Sequence, residues 1–396
     1  MRIFSDPSLL MPQSITDTMC WSDYKHAYQL LELEQPSAHI VTITGTNGKS
    51  STAQIIADLA CQDSLNVVCF TSPHLFDFRE RLQLNQSWIG DQQWNLAARC
   101  VIDKLADIKL TLFAWITLIA LFIICRHELD LVILEVGMGG RLDPVNIWDA
   151  DCAVLTNLSL EHTGMLGRTL SEIAHEKLGI LRDNQHVVVA SDDWYRYIQF
   201  ENHEKLAIHN SLLCYTGNNQ YRYGCHTMTL KSDLFTGFWT NSLATAWVVS
   251  RVVYQSKRTE YAPTIPLKGR HEWLTDSICA DVSHNLAAIE LFIEYMIHHS
   301  RQLDLPLRVY FSCLARKSYC EMIPWLLSQP LELVVTGDND SESITEEAIT
   351  SFGATWEELR VVSNYLTTAD HQDKLIAVCG GFSFTGNVLR LFGKGN

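Results

Sequence analysis

The sequence predicts an α/β protein of two domains. The larger, N-terminal one is a doubly wound parallel sheet with a small β appendage, and the smaller, C-terminal one is of the same α/β class. Short runs of β-branched and aliphatic residues alternate with helical stretches along most of the 396 residues. Strand-like runs such as "DLVILEVG" are apolar on both faces, as in a parallel sheet covered on both sides. The length exceeds what one ordinary core organises, so the chain should divide.

Taken in order, "HIVTIT" reads as a strand that feeds a glycine turn and a helix from about Ser51 to Gln62. "NVVCFTS" is the next strand. The run Leu112 to Cys125 has 14 apolar residues, short of the ~20 that a membrane-spanning helix needs, so it is expected as a buried helix. "DLVILEVG" and "DCAVLTNLS" follow as strands. Residues 185–240 hold "HVVVASDD", "LLCYTGNNQYRYG" and "HTMTL", expected together as the small β appendage. "NSLATAWVVSRVVYQ" has helical period, and "SKRTEYAPTIPLKGR", with two prolines and a glycine, is the linker candidate. Alternation resumes with "SICADVSH", "LRVYFSCL", "ELVVTGD" and "LIAVCGG". The expected domains are therefore 1–266 and 271–396.

Composition narrows the function. Hydrophobic residues at 47% and charged ones at 19% describe a packed globular protein. A net charge of -15 argues against general affinity for nucleic-acid backbone or anionic lipid. Twelve cysteines without a C-x-x-C pair, and an N-terminus without the order of a secretory signal, are expected of a cytoplasmic protein.

The chemistry concentrates where predicted strands end. In "VTITGTNGKSST" a strand, a glycine turn and a helix aim backbone N–H groups and the positive end of a helix dipole at one point. Gly45 and Gly48 permit the turn, Lys49 can reach phosphates, and Ser50 or Ser51 can offer a hydroxyl to magnesium. Ile43 stands where the strict P-loop pattern asks for glycine, so a structural turn with a surface lysine remains the alternative. Glu135 would face the same crevice, compensated by magnesium. Gly137, Gly139 and Gly140 would keep the following loop thin and leave Arg141 and Asp143 to touch a ligand. Otherwise Glu135 caps a helix and Arg141 pairs with Asp143 on the surface. Ser72 and His74, then Glu161 and His162, follow two further strands, so four strand ends converge.

"GTNGKSST", "TSPHL", "EVGMGGRLDPVN", "LSLEHTGMLGRTLSEIAHEKLGIL", Gly269 with Arg270, and "DVSHN" resemble, in order and spacing, the folylpolyglutamate synthase and dihydrofolate synthase family, relatives of the Mur amide ligases. The resemblance runs from about residue 25 to the end. It implies a P-loop-type N-terminal domain and a Rossmann-like C-terminal domain that binds the amino acid. It implies that Gly45, Thr46, Asn47, Gly48, Lys49, Ser50 and Ser51 hold ATP phosphates, and that Ser72, Glu135 and His162 hold one or two magnesium ions. Lys177, which by sequence alone is an exposed helix lysine, would be carbamylated to act as a carboxylate near the metal. Asn241, Arg270 and Asp281 would meet the adenine and ribose. A pterin-bearing acid would lie near Thr111, Leu112 and Phe113 and the loop of Arg141, Leu142 and Asp143.

The implied reaction turns a carboxylate into an acyl phosphate with ATP, after which the amine of L-glutamate displaces phosphate. Lys49, magnesium and Arg270 would neutralise charge, and His284 would orient the amino acid, unless it only caps a helix. Closure about the linker would exclude water. The expected partners are small molecules, a pteroate or folate and L-glutamate, with no nucleic acid or membrane and the chain acting as a monomer. Ala114, Leu286 and Gly381 depart from the family pattern, as do Arg316 and Lys317. Ligation of another acid or amino acid therefore stays open, as does a nucleotide-binding protein without ligase activity.

Overall fold

The computed structural model describes residues 15–394 except 19, 106, 200–205, 212–214, 218–219, 232–238, 265–266, 339, 341, 369–370 and 372. The N-terminal stretch read for a leader, part of the appendage segment and two linker positions lie outside the described residues. Two compact units divide between Ile265 and Pro266.

The sheet of the N-terminal unit runs, in spatial order, Ala207–Asn210, His186–Val189, Cys152–Leu155, His39–Thr44, Leu131–Glu135 and Val67–Phe70, all parallel. Leu82–Leu84 and Ser87–Trp88 extend it antiparallel. Its central strands are mainly apolar and buried throughout, as burial on both faces requires. The register pairs Ile43 with Glu135, Thr44 with Leu155 and Phe70 with Leu134, so the strand ends that carry the polar residues lie at one edge.

Helix Leu112–Ile124 is buried without a break from Ala114 to Ile124, the outcome expected for a run that is apolar all round. The Thr111 hydroxyl caps it by accepting from Ala114 N at 3.3 Å. No helix among the described residues is long and apolar enough to cross a membrane, and the eleven described cysteines are all free thiols.

One expectation needs correction, and the linker, which does contain the division between the units, is less loose than expected. Residues 186–189 and 207–210 are not part of a separate appendage, because they continue the main parallel sheet at its edge. The appendage is a four-stranded sheet of Tyr215–Gly217, Gln220–Tyr223, His226–Leu230 and Glu260–Tyr261. That last strand lies inside the segment read as a linker, and the neighbouring positions are tied down as well. Arg258 Nε donates to Asp63 at 3.0 Å, Tyr261 OH to Asp58 at 2.7 Å, and Thr264 N to Asp58 at 3.0 Å. Proline and polar content signalled an irregular segment without revealing that Asp58 on helix Lys49–Gln62 and Asp63 at its C-terminal cap hold it.

The C-terminal unit has a sheet ordered Glu272–Trp273, Ile278–Ala280, Leu375–Cys379, Leu307–Phe311, Glu332–Val335 and Thr355–Trp356, parallel after its first hairpin. The last long strand, Leu375–Cys379, fills the place between the strand 278–280 and the strand 307–311. Helices Leu286–Leu303, Tyr319–Leu327, Leu359–Thr368 and Phe382–Leu391 complete this unit's main elements.

Candidate active site

The glycine turn follows strand His39–Thr44 and opens helix Lys49–Gln62. Gly45 has φ +142°, and a Cβ there would stand 1.9 Å from Thr156 Oγ1, so only glycine lets the loop lie against the neighbouring strand end. The turn is held from outside itself: Thr46 N donates to Asn157 O at 2.8 Å, and Asn47 N to Asn157 Oδ1 at 2.6 Å. Ser159 N donates to the Thr46 hydroxyl at 3.0 Å. Lys49 Nζ donates to the carbonyls of Gly45 and Thr46 at 3.2 and 2.9 Å. Asn157 was not singled out from the sequence; its signal was its place in the "TNLSLEH" stretch at a strand end.

Glu135 is 1% exposed, and it does not cap a helix. Its Oε1 accepts from the Ser50 hydroxyl and its Oε2 from Ser72 N, both at 2.9 Å. The carboxylate therefore joins the helix after the glycine turn to the loop after strand Val67–Phe70. Ser51 is buried within that helix. In the same crevice Arg81, another residue the sequence reading passed over, donates from Nε to His74 Nδ1 at 3.0 Å. Burial lowers the Arg81 pKa to about 10 against the pull of Glu135. Burial and the Arg81 charge bring His74 down to about 4.

Arg141 and Asp143 do not pair with each other. Arg141 Nη2 donates to Glu176 at 2.6 Å, whereas Asp143, 4% exposed, turns inward and accepts from Met138 N and Val145 N at 3.0 Å. Burial pushes the Asp143 carboxyl up to about 7, against its backbone hydrogen bonds and the charge of Lys49. Leu142 between them is exposed. Thr111, Leu112 and Phe113 are partly exposed at the start of their helix, and the Phe113 ring lies 6.1 Å from that of Phe70.

Lys177 departs most from its reading on sequence alone. It is 3% exposed, and Nζ donates to Gly45 O at 2.6 Å. Burial, then the charge of Lys49, pulls its pKa down to about 7 while Glu161 and Asp143 oppose the shift. The amine is thus held against the glycine turn with an appreciable neutral fraction near neutral pH.

His162 adopts φ 52° at the start of the short helix Thr163–Leu166, with Nε2 3.7 Å from Glu161 Oε1. Among the described residues no three His, Cys, Asp or Glu side chains form a closed metal cluster. The donor set nonetheless fits magnesium. Glu135 is a buried carboxylate beside the Ser50 hydroxyl and the Ser72 backbone, and this ion takes one or two carboxylates and completes its shell with water and phosphate oxygens.

Asn241 lies exposed in the first turn of helix Thr240–Val253. Its neighbour Ser242 has its hydroxyl 3.7 Å from where a Cβ on Gly48 would sit, which brings that helix start to the glycine turn. In the C-terminal unit Asp281 is 3% exposed and accepts from His271 N and Ser283 N at 2.8 Å. Burial raises its pKa while Arg270 opposes the shift. The Arg270 guanidinium lies 5.0 Å and the His284 ring 5.4 Å from the Phe382 ring. His284 does not cap the following helix: Asn285 does, accepting from Ala288 N at 3.0 Å.

The chain is similar to the dihydrofolate synthase/folylpolyglutamate synthase of Buchnera aphidicola (37% identity over 180 residues, 43% of this chain and 44% of that one). It is similar also to those of Haemophilus influenzae (39% over 165 residues, 42% and 38%) and Escherichia coli (36% over 159 residues, 40% and 38%). The matched part thus spans less than half the length of these curated relatives. In structure it resembles a bifunctional folylpolyglutamate synthase/dihydrofolate synthase with Mn, AMPPNP and L-glutamate bound, at TM-score 0.83 and 23% identity over 96% of this chain and 95% of that one. Escherichia coli FolC in complex with DHPP and ADP gives TM-score 0.81 at 23% identity over 97% and 95%. These two likenesses establish the α/β fold. The Mur ligase middle domain matches residues 43–273, more than half of the chain, and the protein belongs to the Mur ligase family.

Proposed function

We propose that the chain is an ATP-dependent acid–amino-acid ligase that adds L-glutamate to dihydropteroate, to the γ-carboxylate of tetrahydrofolate (poly)glutamates, or to both. The observation that carries this reading is the buried Glu135 carboxylate, tied to Ser50 and Ser72 beside a loop on which Lys49 and Lys177 both converge. The names of the relatives, and the nucleotide, metal and glutamate bound by the structural neighbour, support the same chemistry.

In this reading residues Gly45–Ser51 cradle the phosphates of ATP, and Lys49 exchanges its two carbonyl partners for phosphate oxygens. Glu135, Ser72 and His162 would hold magnesium, which when bound neutralises phosphate charge. The carboxylate oxygen of the acid attacks the γ-phosphorus as the bond to ADP breaks. The amine of glutamate then attacks the acyl carbon, and phosphate leaves with the bonding electrons. The N-terminal unit is the nucleotide domain, and the C-terminal unit supplies Arg270 and Asp281 toward the nucleoside and His284 toward the amino acid. The substrate acid lies along Thr111, Leu112 and Phe113 and the loop of Arg141, Leu142 and Asp143. The enzyme works as a cytoplasmic monomer on small molecules.

Lys177 is carbamylated in the active enzyme. Its neutral amine adds to carbon dioxide and releases one proton, leaving a buried carbamate anion that Lys49 and the metal would favour. Intact mass with and without bicarbonate tests this: a gain of one carbon dioxide, lost in Lys177→Met, is expected.

The function is tested by phosphate release from ATP and magnesium with dihydropteroate or tetrahydrofolate, with and without glutamate, followed by mass spectrometry. A gain of one glutamyl unit is expected. Phosphate release without either product would redirect the assignment to another acid or amine. ATP binding without release would favour a non-catalytic nucleotide-binding protein.

A further inference from the structure

Arg81 closes the short helix Phe78–Arg81. Its carbonyl accepts from Thr71 N at 2.8 Å, and Leu82 pairs opposite Phe70. The side chain is therefore fixed at the strand edge that carries Ser72 and Glu135. Its Nε donates to His74 Nδ1 at 3.0 Å. An arginine only donates, so Nδ1 is the bare ring nitrogen and the imidazole proton sits on Nε2. Arg81 Nη1 and Nη2 and His74 Nε2 are then three donors for which no acceptor is found among the described residues. The nearby Arg79, by contrast, is ion-paired with Asp77 and Asp91. The Arg81 guanidinium lies 5.9 Å from the Phe113 ring and within electrostatic reach of Glu135. A planar, desolvated cation with an unused fork, beside an aromatic wall, is built for bidentate contact with a carboxylate.

The geometry points to Arg81, oriented by His74, as the residue that receives the carboxylate of the acid substrate and turns one of its oxygens toward the phosphoryl group at the Lys49 loop. This rests on the ligase reading above. One carboxylate oxygen forms the bond to phosphorus while the guanidinium holds the other and keeps all its protons. An acid with a planar body that can lie against Phe113 is the class recognised.

The test compares wild type with Arg81→Gln and Arg81→Lys, using dihydropteroate, or tetrahydrofolate if that is the acid the wild type ligates, and the same molecule with its reacting carboxylate replaced by a neutral carboxamide. Arg81→Gln should raise KM for the acid about 10- to 100-fold, the loss expected for charged hydrogen bonds, with KM for ATP unchanged. Arg81→Lys should recover part of the loss, since it keeps the charge without the fork. The inhibition constant of the carboxamide should be the same in all three proteins. An unchanged KM for the acid, or equal weakening of acid and carboxamide, overturns the assignment while leaving the ligase reading intact. A wild type that releases no phosphate with either acid overturns the ligase reading itself. If Arg81→Gln fails to fold, the comparison is carried by Arg81→Lys, with an intermediate KM shift expected for the acid alone.

Discussion

Glu135 and Asp281 each stand at the C-terminal end of a buried parallel strand, one in each unit, and they are held in opposite ways. Asp281 takes its amide hydrogen bonds from its own turn, from residues two and ten positions away. Glu135 takes its donors from Ser50 and Ser72, 85 and 63 positions away, on two other elements. Asp281 shapes a loop and presents the neighbouring Val282–His284 segment. Glu135 exists as a site only because three strand ends meet. A carboxylate satisfied locally serves the backbone, whereas one satisfied by converging elements is open to exchange those donors for a metal cation.

The largest expected break in this contrast comes from the loop beside Glu135. Lys49→Ala should cut ATP-dependent phosphate release about 10²- to 10³-fold, the scale of losing one preorganised donor at a developing charge, while thermal unfolding stays cooperative. Next, Glu135→Gln should weaken metal-dependent nucleotide binding about 10- to 100-fold. Asp281→Asn should leave the metal dependence of binding intact and lower stability by about 1–3 kcal/mol, through a disturbed buried network. Calorimetric titration with Mn and a non-hydrolysable nucleotide, beside urea unfolding, separates the two; equal loss of metal dependence in both variants would abolish the contrast.

Glycine gives a finer version. Gly380, with φ +123°, would place a Cβ 2.0 Å from Ser312 O, as Gly45 would place one 1.9 Å from Thr156 Oγ1. Alanine at either position should cost about 1–3 kcal/mol of stability. Only Gly45→Ala should also abolish nucleotide binding.

The smallest effect is the pH dependence. Asp143 keeps its proton to about pH 7 when folded, against an ordinary value of 3.8. The native chain then binds more protons than the unfolded one between those values, and stability falls as pH rises across that window. Lys177, lowered from 10.5 to about 7, binds fewer protons when native, so its contribution to stability rises from about pH 7 to 10.5. Asp143→Asn should flatten the acid limb of the urea-midpoint profile and Lys177→Met the alkaline limb.

Much of the larger unit was legible because its signals are local. A strand such as 131–135 announces burial on both faces by its composition, and the glycine turn at 45–48 announces a strand-to-helix corner by its conformational demand. The strand at 186–189 was misassigned and that at 207–210 was not picked out, because a polar interval separates them and which sheet they join depends on edge pairing rather than period. The linker segment does hold the division between the units, but its first half is not loose, since Asp58 and Asp63 anchor it from a segment distant in sequence.

The α/β alternation, the strand-to-helix glycine turn and the set of polar residues delivered to one sheet edge were determined by the sequence, because period, turn chemistry and strand direction are properties of neighbouring residues. Tertiary structure alone decided that Lys177 is buried on Gly45, that Asp143 faces inward, and that Arg81 stands beside Phe113 with its fork unused. Those outcomes set the local dielectric and the charges that face one another, and they depend on which distant segments pack together.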